Sequence, residues 1–242
     1  MNTSNKLINE VHAKIQALAS PERATASKWF FKTGPGQYGE GDQFIGLTVP
    51  QVRILARQYK HLDVNSVLAL LKSPIHEERQ LALFILVKKY QLSDQNGREK
   101  IYQNYLNHTK FINNWDLVDG SAEYIVGAYL SDKSKCPLER LAKSADLWQR
   151  RIAILATFRY IKEGECEDAL KIATILLYDK HDLIQKAVGW MLREIGKKCS
   201  VNILTQFLDK HAATMPRTTL RYAIEHFDAR TRLNYLNKSK DK

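Results

Sequence analysis

From residue 50 onward, apolar residues recur at spacings of three and four with little to interrupt them. The segments VPQVRILARQYK (49–60), HEERQLALFILVKKY, WQRRIAILATFRYIKEG, DLIQKAVGWMLREIGKK and TTLRYAIEHFDARTRLNYL each carry one apolar face at that period. This is the pattern of an amphipathic helix. The first segment has Thr48 in position to cap it and Pro50 in its first turn, both features of helix starts. Breakers are scarce, 11 Gly and 6 Pro in 242 residues, which favours helices over a turn-rich sandwich. No alternating strand and no hairpin turn between β-like runs stands out. The expected fold class is all-α.

Four of the helical segments share a small residue at the same place in their pattern, Ala82, Ala153, Ala187 and Ala223. Their intervals are 71, 34 and 36 residues, and half of the first falls near residue 118. A helical-hairpin unit about every 35 residues accounts for this, with NNWDLVDGSAEYIVGAYL as the remaining member. Ordinary antiparallel packing also brings small residues to close contacts, but the regular interval favours a repeat. The tetratricopeptide pattern is absent, so the units read as HEAT-like. Such units stack into a solenoid with a concave inner surface. We expect one such domain over 1–242, ending in a flexible basic tail at 236–242.

The chain has 37 Lys and Arg against 26 Asp and Glu, a formal net charge of +11. That excess attracts anionic partners and makes their binding sensitive to salt. Nucleic acid is the leading partner and an anionic membrane surface the second. No run of 18 apolar residues is present, so no transmembrane helix is expected. The N-terminal MNTSNKLINE is polar and lacks a signal-peptide core. Cys136, Cys166 and Cys199 are far apart in sequence and form no CxxC pair, so they read as reduced thiols. The expected compartment is the cytoplasm, in association with the nucleoid if the partner is DNA.

One stretch departs from the helical pattern. KTGPGQYGEGDQF (32–44) holds four Gly, a Pro and a Tyr, and reads as a loop or a short hairpin. It lacks the G-x-x-x-x-G-K-[ST] order of a phosphate loop. No HExxH, GxSxG or dinucleotide fingerprint occurs, and the seven His are scattered. No metal site and no cofactor are expected.

The chemistry concentrates in FINNWDLVDG (111–120). Trp115 and Asp119 are four apart, on one face if this is a helix. Asp119 taken alone could cap a helix or pair with a cation, yet a carboxylate beside a DNA groove repels phosphate. A cationic substrate supplies a reason for it. Purines alkylated at N3 or N7 carry positive charge, and an indole face attracts such a cation by about 2 kcal/mol when desolvated. Cleaving the glycosidic bond moves that charge to the sugar, where a carboxylate can stabilise it and orient water. A cationic base leaves without a general acid. Trp148 has Arg151 three residues on, and Trp190 has Arg193. The fourth tryptophan, Trp29, stands apart from these motifs, and Asp116 has no assigned role.

NNWDLVDGS, WQRRIAIL and IQKAVGWMLRE, in this order, resemble the AlkD-type DNA alkylation repair proteins, HEAT-like repeat DNA glycosylases. The likeness runs from about residue 44 (FIGLTVPQVR) to about residue 198, and less clearly to the end. It implies tandem helical pairs around duplex DNA in a basic cleft, and removal of cationic N3- and N7-alkylpurines without a lyase step or cofactor. It implies Trp115, Asp119 and Trp190 as catalytic residues. It implies Arg151, or Arg150 if the alignment shifts by one, and Arg193 as DNA contacts; Lys186 and Arg53 are further basic candidates for DNA contact. The family is described as leaving the lesion stacked and contacting its deoxyribose. The partner is then double-stranded DNA bearing alkylated purines, bound by a monomer. Two features depart from the pattern. Asn113 and Asn114 precede Trp115 where some members have a further aromatic, and the glycine-rich stretch is not general. Related proteins with a hairpin near the cleft bind branched DNA without cleaving it. That binder, and a HEAT-type protein scaffold, are the alternatives.

Overall fold

The computed structural model describes residues 3–238. It is an all-α helical-repeat fold, and the chain forms two compact units, Met1–Ser121 and Ala122–Lys242. The boundary between them falls within NNWDLVDGSAEYIVGAYL.

The first unit contains α1 (Thr3–Ala17), α2 (Pro21–Phe30), α3 (Val49–Gln58), α4 (Val64–Leu71), α5 (His76–Leu92), α6 (Gln95–Asn107) and α7 (Trp115–Asp119). Local chemistry sets their starts. The Thr48 hydroxyl accepts from the Gln51 amide while the Gln51 side chain accepts from the Thr48 amide, the reciprocal capping expected of that sequence. Asp63 and Asp94 cap α4 and α6 with their carboxylates, which accept from the Ser66 and Gly97 amides. Helix α5 packs against α3, α4 and α6 and is buried nearly all round from His76 to Val87. Its first turn is polar, HEERQ, so those side chains need partners within the protein.

The second unit opens with a π-helical stretch, Glu123–Gly127, running into α8 (Ala128–Leu130). It continues with α9 (Cys136–Ala142), α10 (Leu147–Ala156), α11 (Phe158–Lys162), α12 (Glu167–Ile175), α13 (Asp182–Lys198), α14 (Val201–His211), α15 (Arg217–Ala223) and α16 (Ala229–Asn237). Helix α10 packs on α9 and α13, and α13 packs on α12, α14 and α15. Of the expected tail, Leu236 and Asn237 belong to α16. Residues 239–242 lie outside the described residues.

The four alanines that define the interval lie on α5, α10, α13 and α15, and all are buried. The remaining member is less regular than its neighbours. Its buried alanine is Ala122, and it breaks into α7, the π stretch and α8. A π turn carries an extra residue, which shifts the register of the small positions. Glycines bring these helices close. A Cβ at Gly127 would lie 2.3 Å from the Ala156 carbonyl oxygen, and one at Gly189 would lie 2.5 Å from the Thr219 carbonyl oxygen and 2.5 Å from the Tyr222 Cβ. Alanine favours a helix interior by about 1 kcal/mol over glycine. The clash outweighs this, because both obstacles on α15 are backbone-fixed. Gly189→Ala is therefore expected to destabilise the protein by about 1–3 kcal/mol, read as a lower Tm in a thermal melt. An unchanged or raised Tm would show that α13 and α15 can separate at little cost.

The glycine-rich segment 32–44 is an ordered loop of turns, and no strand occurs among the described residues. Its turns are closed by Gln37 N–H to Gly34 O, Gly39 N–H to Lys32 O and Asp42 N–H to Gly39 O, each 3.1 Å. The Glu40 carboxylate accepts from the Gly36 amide at 2.8 Å. Its far end makes a single parallel bridge from Gln43 to Ile75, which delivers Asp42 to the start of α5.

Candidate functional site

Helix α7 carries Trp115 at its first position and Asp119 at its last. A separation of four puts both side chains on one face, and both are half-buried. The apolar residues between and before them, Leu117, Val118 and Ile112, are fully buried and hold the helix down. The cap is Asn114, whose side-chain oxygen accepts from the Trp115 amide at 2.8 Å. Behind the helix, the buried Tyr105 hydroxyl donates to Ser121 Oγ at 2.9 Å, and Ser121 donates to the Leu117 carbonyl at 2.5 Å. Burial and then the nearby Asp119 carboxylate push the Tyr105 hydroxyl well above its ordinary range, against the Ser121 hydrogen bond. Tyr105 is therefore a fixed neutral donor.

The Trp115 indole stacks on Phe31, with centroids 5.4 Å apart and planes at 25°, and meets Phe30 edge-on at 5.9 Å. Phe31 in turn stacks on Phe44 at 5.0 Å. The C-terminal end of α2 and the glycine-rich loop thus build an aromatic platform under Trp115. Phe30, at its edge, is 57% exposed, and the preceding Trp29 is 85% exposed.

Beneath the platform lies a buried polar cluster centred on His76. Its Nδ1 is 3.0 Å from Asp42 Oδ2 and its Nε2 is 2.9 Å from Asp116 Oδ2. Asp42 also accepts from the Arg79 guanidinium and from the Asn114 amide. Asp116 also accepts from Gln80 Nε2 at 2.8 Å and, through Oδ1, from the Leu117 amide at 2.9 Å. Arg79 Nη1 donates to the carbonyls of Ser73 and Pro74, both at 3.1 Å. Burial alone would depress the His76 pKa. The Asp116 charge and hydrogen bond, followed by those of Asp42, prevail and raise it to about 9. Burial opposes ionisation of Asp42, but His76, Arg79 and Asn114 together hold its pKa below the usual carboxylate value. Both ring nitrogens of His76 therefore carry protons at neutral pH and donate to the two carboxylates.

Asp116, unassigned in the sequence, is thus a half-buried brace for α7, and His76, Asp42, Gln80, Asn114 and Phe31 join the site. The signal for them was available: HEERQ directly precedes the apolar run LALFILV, so a polar turn enters the core and must find partners there. Periodicity does not say which partners.

The remaining candidates are spread over both units. In the first, Arg53 is exposed, with its guanidinium over the Phe84 ring at 4.6 Å. In the second, Trp190 is half-buried and 5.8 Å from Phe158, while Trp148 is core. Arg151 is 5% exposed and donates to the Leu183 carbonyl at 2.6 Å. Arg150 pairs with Asp179 at 2.6 Å and donates to the Ser144 and Ala145 carbonyls. Arg193 pairs with Glu225, and Lys186 with Asp182 at 2.9 Å. Each of these four cations thus has a partner within the protein, and phosphate would have to compete with it or share it. Among the described residues, no group of three or more His, Cys, Asp or Glu could hold a metal ion. No described helix is long and apolar enough to cross a membrane.

The sequence model of a family described as "DNA alkylation repair enzyme" matches residues 11–227. Among solved structures, the chain is similar to a "Predicted DNA alkylation repair enzyme from Enterococcus faecalis", with a TM-score of 0.66 and 14% identity. The similarity covers 87% of this chain and 97% of that one. At that identity it is a likeness of fold. No curated protein matches the chain.

Proposed function

The chain belongs to the DNA alkylation repair enzyme family, and from that premise we propose that it is a monofunctional DNA glycosylase for cationic N3- and N7-alkylated purines in duplex DNA. The observation that carries the reading is the pairing on α7 of a half-buried indole and a half-buried carboxylate, one turn apart, on a helix anchored from behind.

The chemistry follows from the charge of the substrate. The alkylated base already carries a positive charge, so the C1′–N bond breaks with its electron pair passing to the base, which leaves neutral. The deoxyribose becomes oxocarbenium-like. Asp119, fixed before the reaction, lowers the energy of that cation without having to reorient. Water adds to C1′ and releases a proton, which the Asp119 carboxylate is suited to accept. The Trp115 face favours the cationic nucleotide over its neutral parent. Trp190 offers a second indole, and Arg53, Arg150, Arg151, Lys186 and Arg193 are proposed to engage phosphates. No lysine is assigned a Schiff-base role.

Release of 7-methylguanine from methylated duplex DNA tests the proposal. Product above the spontaneous rate supports it. Duplex affinity without release would instead identify a binder of damaged or branched DNA. Affinity is expected to weaken by about 10³-fold or more between roughly 50 mM and 200 mM salt if six or more phosphates are neutralised. Fluorescence anisotropy of a labelled duplex measures this. No affinity at low salt would exclude both DNA readings and leave a protein-interaction scaffold.

A further inference from the structure

We propose that His76 is a positioning residue whose imidazolium ties α7 to the glycine-rich loop and thereby fixes Trp115 and Asp119 in their working geometry. Its catalytic consequence rests on the glycosylase reading; the clamp itself does not.

Two routes lead from His76 to the site. One runs through Asp116, the residue after Trp115, bonded to Nε2 at 2.9 Å. The other runs through the platform: the imidazole lies 5.0 Å from Phe31, which stacks on Trp115 at 5.4 Å, and 4.5 Å from Phe44 at 24°. The ring is 2% exposed, so water cannot take over a lost bond. A neutral imidazole carries one N–H. It can donate to Asp42 or to Asp116, and the other carboxylate then faces a ring lone pair at about 3 Å. Only the imidazolium satisfies both, so loss of one proton breaks one of the two bonds and weakens the hold on either the loop or α7.

The groups facing His76 are few. The loop contributes Asp42 and α7 contributes Asp116, with the cap residue Asn114 bonded to Asp42. From α5 itself come Arg79, bonded to Asp42, and Gln80, bonded to Asp116. The end of α2 contributes only the Phe31 ring. These partners keep the proton on His76 to about pH 9. The clamp is therefore closed at neutral pH and opens in mildly alkaline solution.

Single-turnover base release at saturating protein, across roughly pH 6–10, tests the catalytic consequence. The parent is expected to show a falling limb centred near 9. His76→Gln is expected to slow release at pH 7 on the order of 10- to 100-fold, the scale of a small misplacement, with duplex affinity little changed. Adding Asp116→Asn gives the uncharged glutamine an uncharged partner and is expected to restore much of the rate without restoring the limb. If His76→Gln matches the parent in both rate and alkaline limb, the proposal is wrong.

Should the parent release no base, the glycosylase reading fails and the clamp is judged separately. Emission from Trp115, obtained by subtracting the spectrum of Trp115→Phe, should change with a midpoint near pH 9 in the parent and stay flat in His76→Gln. Emission unchanged through that range in the parent would overturn the clamp. Should His76→Gln fail to fold, NMR of the ¹⁵N-histidine-labelled parent decides: His76 titrating near 6.5 instead of 9 overturns it.

Discussion

Asp119→Asn is expected to lower the rate of 7-methylguanine release by about 10²- to 10³-fold, or about 3–4 kcal/mol of barrier. Asparagine has nearly the same shape and leaves the packing of α7 intact, so folding should be unaffected. It removes the negative charge that faces the oxocarbenium-like sugar and any capacity to take a proton from water. The same charge repels phosphate, so duplex affinity should hold or rise slightly. A fall in rate without a fall in binding marks an interaction made only in the transition state. Single-turnover release and anisotropy on the same duplex provide the two measurements. A variant that excises as fast as the parent would remove Asp119 from the mechanism.

The largest stability effect is expected at Asp42, although it lies in a glycine-rich loop. Asp42→Ala would leave the His76 imidazolium short of one acceptor and the buried Arg79 guanidinium without its carboxylate. Asn114 would lose its acceptor as well. Removing one partner of a buried ion pair costs about 3–5 kcal/mol, enough to consume much of a typical domain's stability. Urea denaturation followed by circular dichroism measures the change. A loss under about 1 kcal/mol would mean that the cluster does not hold the loop. The pH dependence has a definite sign. The folded pKa of His76 is about 9, above its ordinary value of 6.5. Its stabilising contribution is therefore complete below about 6.5 and is lost as pH rises through 9. In Asp42→Ala that loss should move to lower pH.

The helical architecture could be read from the sequence because its evidence is local. Thr48 with Gln51, the three-four spacing and the alanines at regular intervals each report on a few neighbouring residues, and the structure has Ala82, Ala153, Ala187 and Ala223 each buried on a helix. Trp115 and Asp119 could be picked out as candidates for the same reason, as one short motif. What escaped depends on distance along the chain. Asp42, His76 and Asp116 are separated by 34 and 40 residues, and no period connects them. The loop-or-hairpin choice at 32–44 was also beyond local pattern, since its far end is set by a bridge to Ile75. The cationic candidates show a related gap. Sequence identifies Arg150 or Arg193 as cations but cannot reveal that Asp179 or Glu225 already pairs with them.

The cluster pairs two basic side chains, His76 and Arg79, with two carboxyl groups, Asp42 and Asp116, and so carries no formal net charge. Opposite charges at hydrogen-bond distance largely offset one another, so the cluster adds little net field of its own. Deprotonating His76 would leave one uncompensated negative charge on the far side of the helix. Loss of that one proton would therefore change the electrostatics of the cluster as well as its hydrogen bonds.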